Sequence, residues 1–185
     1  MIKKLTIPVD HGNRNMKTTH FLFTTGLSST DRKPAGREDF LQTEGKYYVL
    51  SGKRIPYQRD KTQDERFSIL TRFAIAKELE RTGQVAEEDV VQVSLPIGVP
   101  PKHYAELADR YREYFLGDGK VQELVYNGRT YHTCIRDVAV YPQAYAAMMT
   151  EGEKIRQIPK AVGIDIGGFT SDFLLMRSGA PCLDY

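Results

Sequence analysis

An internal echo constrains this chain more than any other feature. Near one end Asp10-His11-Gly12, and near the other Asp165-Ile166-Gly167, each follow a short apolar run, precede a tip rich in asparagine or glycine, and lead into a second extended run. Turn residues between two such runs read as the tip of a β-hairpin. Such a tip points main-chain amides outward, and glycine lets an anion approach where a side chain would block it. Two tips facing each other would grip a polyphosphate from both sides, so the fold must bring opposite ends of the sequence together.

The residue types within the tips divide the work. Gly12, Gly167 and Gly168 allow close approach, while Asn13, Asn15 and Thr170 add donors. Lys17 places a cation where it would neutralise β- or γ-phosphate charge. Carboxylates repel phosphate, but they hold the waters of Mg²⁺, which keeps most of its shell and bridges to phosphate oxygens. Asp10 and Asp165 are therefore the candidate metal anchors, acting through water. Each piece alone is ordinary: a single Asp-x-Gly after a strand is usually just a turn. The pairing of the two carries the reading.

The intervening sequence reads as α/β with several antiparallel hairpins. Strands are predicted over 5–9, 16–25, 47–50, 89–95, 121–126, 130–140, 161–164 and 170–176, with 26–45 mostly loop and Pro96 closing its strand. Thr62-Gln63-Asp64-Glu65 has the form of a capping box and predicts a helix running to about Thr82. Tyr104, Leu107, Ala108, Tyr111 and Phe115 recur at helical spacing after Pro100-Pro101, and Asn127-Gly128 suits a tight type I′ turn. A short helix is expected over 143–149, followed by a charged connector over 151–160.

Composition narrows the partners. With 41% hydrophobic and 27% charged residues over 185 positions, the chain is globular in character and long enough for one well-buried domain. A balance of 26 basic against 24 acidic residues leaves +2, so neither nucleic acid nor membrane is expected as a direct partner. No run approaches the roughly 18 apolar residues that cross a bilayer, and residues 1–10 lack the apolar stretch of a signal peptide. A cytoplasmic location is expected. Cys134 and Cys182 lack the spacing of a disulfide framework or zinc site, and His20, His103 and His132 lack ligand spacing. The basic run over 53–61 is interrupted by Asp60 and reads as a solvated loop.

The segment Val9-Asp10-His11-Gly12-Asn13-Arg14-Asn15-Met16-Lys17 resembles the first phosphate motif of the actin, Hsp70 and sugar-kinase superfamily. Gly163-Ile164-Asp165-Ile166-Gly167-Gly168-Phe169-Thr170-Ser171-Asp172 resembles the second. Within that superfamily the order of the segments is similar to the ParM/StbA-like plasmid-segregation actins, with Val91-Gln92-Val93-Ser94-Leu95-Pro96 and the run from Ile135 to Ala144 as further points of likeness. His11 departs from the pattern, since segregation actins often carry a carboxylate or a small residue there.

The resemblance implies an actin-like ATPase domain of ribonuclease H-like fold, a mixed five-stranded sheet with flanking helices, plus the first hairpin of a second lobe. The expected division is an N-terminal lobe over 1–158, with a small subdomain around 26–61, and the start of a second lobe over 159–185, truncated. It implies Mg-ATP held between the two hairpins in a filament-forming protein of plasmid or DNA segregation or the cytoskeleton, assembling with itself and reaching DNA through a separate adaptor. ATP hydrolysis would be coupled to polymerisation in a full-length protein, and the 185-residue chain alone would be inactive. Gln143 falls where the family carries a Glu or Gln that orients the attacking water, with Asp165 as its catalytic partner. Truncation would leave Phe173, Leu174, Leu175 and Met176 without sheet neighbours. The alternatives are a sugar- or acetate-kinase-like phosphotransferase lobe and a non-catalytic actin-like interaction module.

Overall fold

The computed structural model describes residues 1–35 and 39–183; Gly36, within the expected loop, and the last two residues of the expected second lobe lie outside it. The chain begins with β1 (Ile2–Thr6), then β2 (Asp10–His11), β3 (Asn15–Lys17), β4 (Leu22–Thr24), β5 (Leu27–Thr30), β6 (Phe40–Thr43) and β7 (Lys46–Leu50). A single 3-10 turn, Lys61–Gln63, precedes α1 (Arg66–Thr82), followed by β8 (Val90–Val99), a second such turn, Pro101–His103, and α2 (Tyr104–Leu116). There follow β9 (Gln122–Tyr126), β10 (Arg129–Pro142), α3 (Tyr145–Met149), α4 (Gly152–Gln157), β11 (Lys160–Ile166), β12 (Ser171–Arg177) and β13 (Ala180–Cys182).

The main sheet has seven strands rather than five, in the order β1-β8-β10-β9-β6-β7-β5. The two strands not foreseen, β5 and β6, lie in the stretch expected to be loop. Leu27-Ser28-Ser29-Thr30 has no alternating pattern of its own, and pairing with β7 alone makes it extended. β1 and β10 run parallel to β8, and the remaining pairs are antiparallel. In β8 every second residue is buried, from Val91 through Val99. This face meets α1, which buries Phe67, Leu70, Phe73 and Leu79, and α2, which buries Leu107, Tyr111 and Phe115, in one continuous core.

Pro96 does not end its strand. Thr6 pairs with Ser94 and Val9 with Ile97 in one register, which sets Pro8 opposite Pro96. Neither proline has an amide to donate, so the β1 edge of the ladder lapses there and resumes at Val9, whose amide reaches the Pro96 carbonyl at 2.9 Å. The expected capping box also fails. α1 starts at Arg66, whose amide donates to Asp64 Oδ1 at 3.0 Å, while Asp60 caps the turn before it through the Thr62 amide. The expected strand over 16–25 breaks into β3 and β4, because Thr18 Oγ1 accepts the Phe21 amide and folds the chain back.

A second small core holds the C-terminal part together. Leu174 and Met176 of β12 pack with Ile155 of α4, which occupies the stretch expected to be a charged connector, and with Met148 and Met149 of α3. β12 is not left bare, since β11 pairs with one side and β13 with the other. Among the described residues no helix is long and apolar enough to cross a membrane.

Candidate functional site

A cleft of about 310 Å³ opens between the two hairpins. Its walls include all ten residues singled out from the sequence: Asp10, Gly12, Asn13, Asn15, Lys17, Gln143, Asp165, Gly167, Gly168 and Thr170. Five chain segments far apart in sequence meet there, around residues 10–17, 57–61, 100–103, 143 and 165–172.

The first wall is the hairpin of β2 and β3. Asp10 and Lys17 are register partners, and the Lys17 ammonium donates to Asp10 Oδ2 at 2.9 Å, which raises the lysine pKa. The tip is drawn so tight that a Cβ on Gly12 would lie 2.4 Å from the Asn15 carbonyl oxygen. His11 alternates to the other face and enters the core. It is fully buried, its ring centroid 4.5 Å from that of Phe115, with Nε2 2.7 Å from Thr71 Oγ1. The Thr71 hydroxyl gives its proton to the Phe67 carbonyl at 2.7 Å, so Nε2 is the donor. Burial first, then the Lys61 charge, holds its pKa down at about 3. The departure at His11 is thus a core substitution that leaves the cleft-facing residues in place.

The opposite wall is the hairpin of β11 and β12, where Asp165 stands across from Asp172. Burial and the neighbouring Asp165 charge raise the pKa of Asp172. The two tips touch: a Cβ on Gly168 would lie 2.6 Å from Arg14 Cβ, so the Arg14 stem crosses the bare glycine. Phe169 beside it packs 6.3 Å from Tyr57, with the Arg54 guanidinium 5.5 Å from its ring. Among the described residues the main-chain amides of Asn13, Arg14, Gly168 and Phe169 meet no acceptor, leaving donors on both tips. No three His, Cys, Asp or Glu side chains among the described residues form a direct metal cage. The carboxylates on offer are Asp10 from one hairpin and Asp165 with Asp172 from the other.

Gln143 reaches the cleft from the end of β10, not from the start of a helix as expected. Its amide donates to the Val99 carbonyl at 2.8 Å, and the next residue, Ala144, has φ 66°, so α3 begins only at Tyr145. Gly98 leaves room for its side chain, since a Cβ there would lie 3.1 Å from Gln143 Cγ.

Sequence reasoning missed three other groups on these walls: Lys61, His103 and Asp172. Lys61 belongs to the run read as a solvated loop, yet it is 2% exposed. Tyr111 anchors it by accepting its amide at 3.2 Å, and burial lowers its pKa to about 8. His103 ends the turn before α2, where burial and then Arg59 lower its pKa. Asp172 had a signal, its place at the end of the second motif; Lys61 had none, because its burial depends on α2.

No curated protein sequence matches the chain. Among solved structures, the AlfA filament bound to AMPPNP aligns with a TM-score of 0.70 at 16% identity, over 97% of this chain and 67% of that one. The apo pSK41 ParM protein gives 0.76 at 13% identity, over 97% and 64%. The archaeal actin homologue Ta0583 in complex with ADP gives 0.70 at 18% identity, over 97% and 58%. Identities this low speak to the fold, and this chain spans 58% to 67% of the length of these three. A family match is independent of that likeness: residues 8–145 fit the sequence pattern of the N-terminal domain of actin-like proteins. The chain belongs to that family.

Proposed function

We propose that this chain is the N-terminal part of an actin-like, filament-forming ATPase of the plasmid-segregation type, which holds Mg-ATP between its two hairpins. One observation carries the reading: residues 10–17, 143 and 165–170 converge on one cleft with amide donors on both tips. The residues suit the group. Main-chain amides and Lys17 match phosphate oxygens, and Asp10 and Asp165 match a hydrated divalent ion. When bound, Mg-ATP would supply the phosphoanhydride and the cation that neutralises its charge.

The side chains then have separable tasks. Lys17, now bonded to Asp10, would hold phosphate oxygens, and the Asp10 carboxylate would accept hydrogen bonds from the waters of the metal. Asp165 would accept from them likewise from the facing hairpin. Gln143, lying against Gly98, orients the attacking water by hydrogen bonding, because an amide is too weak a base to take its proton. Filament assembly and a DNA-binding adaptor belong to this proposal for the whole protein, as does hydrolysis coupled to polymerisation. None of the residues assigned above would hold the base of the nucleotide, so the 185-residue chain should bind weakly and turn over negligibly.

Calorimetry with ATP, in Mg²⁺ and in EDTA, tests the assignment. Asp10→Ala and Asp165→Ala should each weaken binding roughly tenfold in Mg²⁺, the size of one charge-assisted contact, and leave the EDTA value nearly unchanged. Equal weakening in both buffers would remove the carboxylates from the metal. No binding by the unaltered chain in either buffer would remove the nucleotide.

A further inference from the structure

Lys61 lies outside both hairpins, on the turn that leads into α1, yet it faces the same cleft. It is the one lysine among the described residues that is buried. Among those residues its ammonium makes no hydrogen bond and no ion pair, and it lies 5.8 Å from the centre of the Phe67 ring. The charges it feels are Asp10 and Asp172, one from each wall. A cation largely withdrawn from water without a partner is costly, and the opening Lys61 keeps is toward the cleft, where an arriving anion would meet it.

The surroundings make this position rigid. Tyr111 accepts the Lys61 amide, and the Lys61 carbonyl accepts the Asp64 amide at 3.2 Å. Arg110 pairs with Asp60 at 3.5 Å, Arg59 pairs with Glu106, and Tyr57 rests against Phe169 of the second tip. The segment is therefore tied to α2 on one side and to a phosphate tip on the other. With its main chain held this way and its side chain buried, Lys61 brings its charge to the cleft with little side-chain entropy left to lose on binding.

We propose that Lys61 is a third arm of the anion site, donating from its ammonium to the terminal phosphoryl oxygens of a polyphosphate held between the two tips. This rests on the reading of the cleft as a polyphosphate site and adds a residue from a separate element to it. The shared chemistry is a phosphoanhydride, whether inorganic or on a nucleotide. Its occupation would also offset the repulsion between that anion and Asp172.

Pyrophosphate without metal is the probe, with MgATP as the second arm, both titrated into the 185-residue chain by calorimetry. Lys61→Met should weaken pyrophosphate binding roughly tenfold or more, the worth of one charge-assisted hydrogen bond in a desolvated site. Its melting temperature without ligand should hold or rise, because a buried charge becomes a well-sized apolar chain. A merely structural lysine would lower it. In the unaltered protein, the Lys61 Cε methylene resonance, carbon-13 labelled and assigned by its loss in Lys61→Met or Lys61→Arg, should shift on adding pyrophosphate. Unchanged pyrophosphate affinity in Lys61→Met, or an unmoved resonance in a protein that does bind pyrophosphate, overturns the proposal alone. Failure of the unaltered chain to bind pyrophosphate and MgATP overturns it together with the cleft reading. Loss of pyrophosphate binding with MgATP affinity retained would assign the lysine to inorganic phosphoanhydrides; loss of both assigns it to nucleotide as well.

Discussion

At the scale of single residues, two neighbours in one motif do opposite jobs. Asp10 looks into the cleft and His11 into the core, because successive side chains of a strand point to opposite faces. His11 is held neutral by burial, with its pKa down at about 3 against an ordinary value of 6.5. The unfolded chain therefore binds a proton that the folded chain refuses over that interval. Stability from this residue is complete above pH 6.5 and falls as pH drops, by about 1.4 kcal/mol per pH unit until the folded value is reached. His11→Phe, which keeps an aromatic ring against Phe115, should flatten that part of the profile. Denaturant melts at stepwise pH from 7 down to 4 check it, and an unchanged slope would mean that other groups carry the acid sensitivity.

At the scale of elements, the first hairpin depends on the closeness of its own two strands. Nothing about the φ of Gly12 requires glycine; the Asn15 carbonyl 2.4 Å from where a Cβ would sit does. Gly12→Ala must open the tip, at roughly the 1–3 kcal/mol of an overpacked site, and should weaken pyrophosphate binding as the amides turn away. Thermal melting and the same calorimetry measure both; a stable variant with full affinity would show that the tip relaxes without cost. The later hairpins and α2 were legible beforehand because their signals are local: turn residues, alternation and apolar spacing. The first hairpin was expected on a strand over 5–9, but that stretch runs beside β8 and Asp10–His11 pairs with β3 instead. Nor was the start of α1 legible. Thr62 and Glu65 have the spacing of a capping box, but Asp60 and Asp64 supply the caps actually used, and Arg66 pairs with Asp64 at 2.6 Å to hold the later start. Competing caps within five residues look alike in sequence and are separated by what α2 packs against them.

At the scale of the whole molecule, the two cores are separate enough to respond separately. Leu174 is fully buried, but in the cluster of Ile155, Met176 and the methionines of α3, not in the cluster under the main sheet. Leu174→Ala should cost roughly 2–4 kcal/mol by leaving a cavity, and hydrogen exchange should quicken over β11–β13 while α1 and β8 keep their protection. Uniform quickening would show one cooperative unit instead. The sequence by itself determined the α/β class and the two hairpin tips that line the cleft, because glycine, asparagine and aspartate at turns act through their nearest neighbours. Only the tertiary structure decided that β5 and β6 extend the sheet, that His11 turns inward, and that Lys61 is buried against the cleft. Those outcomes depend on partners such as β7, Phe115 and Tyr111, which lie from about twenty to about a hundred residues away in the chain. Burial is a property of such distant pairings, and no local pattern encodes it.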